Sequence, residues 1–155
     1  MLAIRAELVR FLDDTAGRWN WAHKGLREAI KDLDPDEAVW KPPGGHSVGE
    51  QIRHVAYWKR YILHRLQGKR PRMRQAWPAP GRTAAALRRA KADLGALHRE
   101  LRTTVIGLDP DALFERRGQR GTIARLLMGG AAHESYHIGQ ILLTRKLYRR
   151  RHRVR

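Results

Sequence analysis

The sequence predicts an all-α protein, a four-helix bundle with one long crossover loop between its second and third helices. Apolar residues recur at spacings of three and four along four segments, the period of an amphipathic helix. No segment of useful length alternates apolar and polar residues as a half-buried strand would. The segment 68–82, with Pro71, Pro78, Pro80 and Gly81, is longer than the usual hairpin connection of about 2–8 residues, so it suits a link between distant helix ends.

The first helix is expected over residues 2–33, with Leu8, Leu12, Ala16, Trp19, His23, Leu26, Ile30 and Leu33 on one stripe. It ends before Asp34-Pro35, because the residue preceding a proline is pushed away from helical dihedrals. Trp40 to Gly45 then reads as an extended, turn-rich connection. Ser47-Val48-Gly49-Glu50 has the form of a capping box. It opens a second helix, to about residue 67, on Ile52, Val55, Ile62 and Leu66. Thr83 caps a third, with Leu87, Ala90, Leu94, Leu97, Leu101 and Val105 running to a stop at Gly107. After a connection through Asp109-Pro110 and Gly118–Gly121, Thr122 opens the fourth, on Ile123, Leu126, Leu127, His133, His137, Ile141 and Leu142. We expect the bundle to occupy residues 1–148 and a solvated basic tail residues 149–155.

A chain of 155 residues suits a single domain, and 42% apolar residues are enough for a core. There is no cysteine, which excludes disulfides, thiolate ligands and a cysteine nucleophile. Arg5 and Glu7 interrupt the N-terminal segment before a secretory apolar region develops. No apolar run approaches the roughly 20 residues of a membrane span. The expected setting is cytoplasmic, without a membrane. The formal charge of +17 points to anionic partners or to cations spread over solvated helix faces.

The candidate chemistry lies among eight histidines. His133 and His137, four apart on one helix, project from the same face one turn apart and suit two ligands of one divalent metal. Gly129 and Gly130 lie one turn earlier, although each costs a helix interior about 1 kcal/mol against alanine, which suggests that room is needed there. Gln140 follows on the same face. His54, beside Gln51, Trp58 and Tyr61 on the second helix, is a third imidazole from a facing element. Three histidine ligands leave a coordination position open, the arrangement of a catalytic site. The residues alone leave a second reading open, in which these are ordinary packed or partly exposed histidines. His23 is a competing ligand or a core histidine, while His46, His64, His98 and His152 read as loop or surface residues. His133-Glu134-Ser135-Tyr136-His137 also matches the metalloprotease string H-E-x-x-H. Gln140 and Leu143, however, stand where the extended form wants Gly and His. Glu134 is a water-activating base for another hydrolytic reaction, or a solvated helical carboxylate.

Two runs resemble the motifs of the DinB/YfiT-like superfamily. Ala38-Val39-Trp40-Lys41-Pro42-Pro43-Gly44-Gly45-His46-Ser47-Val48-Gly49-Glu50-Gln51-Ile52-Arg53-His54-Val55 resembles the first, and His133 to Ile141 the second. The resemblance extends over essentially the whole chain. It implies an up-down-down-up four-helix bundle, often dimeric, with a divalent metal, commonly zinc or nickel, held by His54, His133 and His137. Several relatives are S-transferases that use a low-molecular-weight thiol. Relatives often carry an aromatic residue, typically Trp, where this chain has His46.

The leading expectation is therefore a metal-dependent S-transferase, joining a small thiol to an electrophile. Glu134, Tyr136 and Gln140 are its candidate catalytic residues, and Arg53, Arg60 and Arg125 are candidates for holding the thiol cofactor's carboxylates. Alternatives are a metal-dependent hydrolase using Glu134 or Tyr136, a structural metal, and a nucleic-acid-associated protein. The last would use Lys69-Arg70-Pro71-Arg72-Met73-Arg74 and Arg149-Arg150-Arg151-His152-Arg153 as phosphate contacts.

Overall fold

Ser47 and Thr83 open two helices by satisfying amide donors that a helix start leaves free. Ser47 Oγ accepts from the Glu50 amide at 3.2 Å, Glu50 Oε2 accepts from the Ser47 amide at 2.9 Å, and Thr83 Oγ1 accepts from the Ala86 amide at 3.1 Å. The computed structural model describes residues 2–21, 24–72, 77–78, 80–116 and 121–153. Its helices are α1 (Leu2–Ala16), α2 (Leu26–Ala29), α3 (Pro35–Val39), α4 (Val48–Leu66), α5 (Ala84–Ile106) and α6 (Ile123–Arg153), with a 3-10 turn at Asp111–Phe114. The long helices α1, α4, α5 and α6 form the bundle. His23, Met73, Arg74 and Gly118 lie outside the described residues, as do Val154 and Arg155.

Named contacts give the helix directions. Arg5 Nη1 donates to the Leu108 carbonyl at 2.6 Å, and Asp13 pairs with His98 and Arg102, so α1 and α5 run antiparallel. His54 lies against His137, and Ile62 packs where Gly130 lacks a side chain, so α4 and α6 are antiparallel too. Val48 and Ile52 share a core cluster with Leu87 and Leu94, and Ile62 and Leu66 share another with Leu101 and Val105, so α4 and α5 run parallel. The order is up-down-down-up. Parallel neighbours explain the long loop: the chain must return over the length of α4, about 28 Å for 19 residues.

The first helix differs from expectation. A single helix to residue 33 does not form; α1 stops at Ala16, and the buried residues Leu26, Ile30 and Leu33 come from α2 and the turns around it. The break is a close backbone approach. The Gly25 amide donates to the Arg18 carbonyl at 2.9 Å, and a Cβ at Gly25 would lie 2.5 Å from the Gly17 oxygen. Trp19, expected on the buried stripe, is 59% exposed and Trp21 is 97% exposed.

The core forms two apolar clusters. One gathers Leu8 and Leu12 of α1 with Ile62, Leu101 and Leu127; the other gathers Leu26 and Ile30 with Ile52, Leu94, Ile138 and Ile141. Along α4 and α6, the positions between these clusters include Lys59, His133, Glu134 and His137, and His98 of α5 lines one cavity with Lys59 and Glu134. The bundle thus carries a polar belt at mid-height, and that belt positions the site.

The helix α6 continues through Arg153 into the segment expected as a tail. Arg145, just before that segment, is buried. Its guanidinium donates to both Glu37 oxygens, at 2.9 and 3.1 Å, and to the Ala29 carbonyl at 2.5 Å. Arg149 adds a contact to Glu37 at 3.3 Å, while Arg150, Arg151 and His152 are exposed.

Candidate metal centre

Antiparallel packing of α4 and α6 brings His54 to the paired histidines. His133 and His137 are one turn apart, and their Nε2 atoms are 3.1 Å from each other. The His54 ring centroid is 5.3 Å from that of His133 and 4.9 Å from that of His137. One ligand nitrogen from each of the three lies within 4.8 Å of the others. Tetrahedral coordination at about 2.1 Å would separate such nitrogens by about 3.4 Å, so small side-chain shifts complete the geometry.

The donor set fits a divalent cation. Burial first, and then the neighbouring imidazole charge of His54, lowers His133 from its ordinary range to about 4. Burial, then His133 and His54, lowers His137 to about 4, with a contact from Gln140 opposing. Both rings are neutral at pH 7 and offer lone pairs. The buried Nδ1 of His137 has no hydrogen-bond partner among the described residues.

Two tryptophans orient His54. The Trp58 indole N–H donates to His54 Nε2 at 3.0 Å. Trp77, from the crossover loop, stacks on the imidazole with centroids 4.0 Å apart and planes 5° apart. His46 stacks on the opposite face of Trp77 at 3.5 Å and 5°. His46, expected as a plain loop residue, is therefore one leaf of a three-ring stack that ends on a candidate ligand. A cation taken up at His54 Nε2 must displace the indole N–H.

Beside His133 opens a cleft of about 650 Å³, walled by Trp58, Ile62, Leu126 and Gly129, with Arg116 and Arg125 also lining it. The two glycines have different roles. A Cβ at Gly130 would strike Ile62, whereas one at Gly129 would meet nothing within 4 Å. Gly130 permits helix packing, and Gly129 leaves the cleft open.

The other expected residues divide. Tyr136 is 63% exposed, and its hydroxyl accepts from Gln140 Nε2 at 2.7 Å. Its ring centroid is 5.2 Å from that of His137, so Tyr136 and Gln140 stay beside the histidines. Glu134 does not line the cleft. It is buried and ion-paired with Lys59 at 2.5 Å, neither a solvated carboxylate nor a base facing that cleft. Its helical position, one residue past His133, turns it into the bundle. Arg53 and Arg60 line a separate groove with Ala86 and Asp93, between α4 and α5. Of the three expected arginines, Arg125 alone lines the cleft beside His133.

Sequence reasoning missed Arg116 and the role of Trp77. The length of the crossover was the available signal for Trp77, since a loop returning over α4 must pass the end of the bundle where His46 and His54 lie. Comparison with known protein families matches residues 6–141 to the DinB superfamily. No curated protein and no solved structure matches the chain.

Proposed function

Since the chain belongs to the DinB superfamily, we propose that it is a divalent-metal S-transferase that joins a low-molecular-weight thiol to an electrophile. His54, His133 and His137 would hold zinc or nickel. The observation that carries this reading is the open cleft of about 650 Å³ against His133, space that a closed structural site would not need. When bound, the cation supplies positive charge that lowers the pKa of a thiol brought to it.

The chain's own residues bind and orient. Arg116 and Arg125 offer bidentate contacts to the carboxylates of a thiol cofactor. Trp58, Ile62 and Leu126 give the cleft apolar walls that limit water around the sulfur. Gln140 and Tyr136, hydrogen-bonded to each other, stand beside His137 as polar contacts for the electrophile. In the reaction, the thiolate forms a carbon–sulfur bond as the electrophile's leaving group departs with its electron pair, and the thiol proton passes to solvent.

The reading includes a homodimer in a cytoplasmic setting. Supporting the dimer, Met128, Leu143 and Leu147 are 41–57% exposed and fall within about 100° of one another around α6, an apolar face that a second copy would cover.

The test is conjugation of monochlorobimane to small thiols by metal-loaded protein. Turnover should require both metal and thiol, and should fall at least a hundredfold in His54→Ala and about tenfold in Arg125→Ala. Turnover that survives metal removal would overturn the reading. Glu134→Gln tests the hydrolase alternative, which requires that variant to lose thiol-independent ester hydrolysis.

A further inference from the structure

A second cavity, of about 660 Å³, opens where α1 breaks off and shares no lining residue with the cleft beside His133. Its walls include Leu26, Ile30 and Leu94, and Lys59, Glu134 and His98 also line it. Lys59 and Glu134 are 3% exposed and paired at 2.5 Å. That pair uses one Glu134 oxygen. The other, Oε1, is buried with no partner among the described residues, and so is His98 Nδ1. His98 Nε2 lies 3.0 Å from Asp13 Oδ1. A carboxylate only accepts, so Nε2 carries the proton, and neutral His98 presents Nδ1 as an acceptor. Burial, then the charge of Lys59, lowers the pKa of His98 below the ordinary imidazole value, with Asp13 and Glu134 opposing.

Two side chains that wall the cavity thus carry unmet acceptors just beneath its surface, and a buried acceptor left unmet is costly. The exposed cations Arg27, Lys31 and Arg99 also line it. Gly95 adds an independent sign of a built space. It lies inside α5, where glycine is unfavourable, yet a Cβ there would meet only the tip of Arg99, at 3.5 Å. Helix packing does not require this glycine, and its missing side chain widens the cavity.

We infer that this cavity binds a small amphiphilic carboxylate with a neutral hydroxyl at its far end. The hydroxyl bonds to Glu134 Oε1 or His98 Nδ1, the apolar body lies along Leu26, Ile30 and Leu94, and the carboxylate rests among Arg27, Lys31 and Arg99. The volume is that of an ordinary small-molecule site.

An NMR titration of the full chain tests this with ω-hydroxy carboxylates from 4-hydroxybutyrate to 8-hydroxyoctanoate, each beside the carboxylate of equal length without the hydroxyl. At least one hydroxy acid should saturate shifts at the Leu94 and Gly95 amides and at the His98 ring nitrogens, and its plain counterpart should bind at least tenfold more weakly. Gly95→Leu, which fills the cavity, should weaken binding at least tenfold. So should Lys31→Glu combined with Arg99→Glu, at exposed positions that leave the core intact. The inference is overturned if no member of the series moves these resonances, if the hydroxyl adds nothing, or if charge reversal leaves affinity unchanged; the cavity then holds water only.

Discussion

His133 and His137, each lowered to about 4, couple the site to stability. In the unfolded chain both titrate near 6.5. Between those values the unfolded state binds more protons than the folded one, so stability rises with pH across that window. Their contribution is complete above about pH 6.5 and is lost as pH falls toward 4. Urea unfolding of metal-stripped protein should show a midpoint that falls from pH 7 to pH 4.5, and His133→Ala with His137→Ala should flatten that slope. Two glycines make a second prediction. Gly95→Ala should stabilise the protein by about 1 kcal/mol, since the helix gains propensity and the new methyl meets only Arg99. Gly25→Ala should destabilise it, because its Cβ would press on the Gly17 carbonyl. Thermal unfolding of both variants reads the opposite signs.

At the level of elements, the capped helices were legible because their signals are local. Ser47, Glu50, Thr83 and Gly107 act within one turn, and α4 and α5 start and stop where those residues require. The first helix was not, because its apolar spacing continues through a break made by two glycines eight positions apart. Periodicity identified Leu26, Ile30 and Leu33 as buried but could not show that the chain reverses before reaching them. His54, His133 and His137 were legible as a group, whereas the stack of His46 and Trp77 depends on where a long loop comes to rest. That stack gives an element-scale prediction: Trp77→Ala should weaken zinc binding about tenfold by calorimetry, as expected when support for a ligand is removed. The contact between Glu37 and Arg145 joins α3 to α6 in the interior. Arg145→Ala should cost about 3–5 kcal/mol, measured by denaturant unfolding, because it leaves the Glu37 carboxylate buried without its main partner.

For the whole molecule, the polar belt explains how one bundle holds two chemically different spaces: α6 directs His133 and His137 toward α4 and Glu134 inward beside Lys59. The charge of +17 was legible as a number but not as a site, since Arg145 serves packing while Arg150 and Arg151 are exposed. Nucleic-acid binding through the exposed cations should be sequence-blind and fall steeply with salt. The proposed dimer through the apolar face of α6 predicts that the unaltered chain should be a dimer by light scattering and that Leu143→Glu with Leu147→Glu should be a monomer. The central claim, convergence of His54, His133 and His137 on one cation, is tested most directly by X-ray absorption of tag-free protein loaded with zinc. One equivalent per chain is expected, with three histidine nitrogens at about 2.0–2.1 Å, lost in the variant that carries alanine at all three positions. Zinc that fails to bind, or a coordination shell unchanged in that variant, would contradict it.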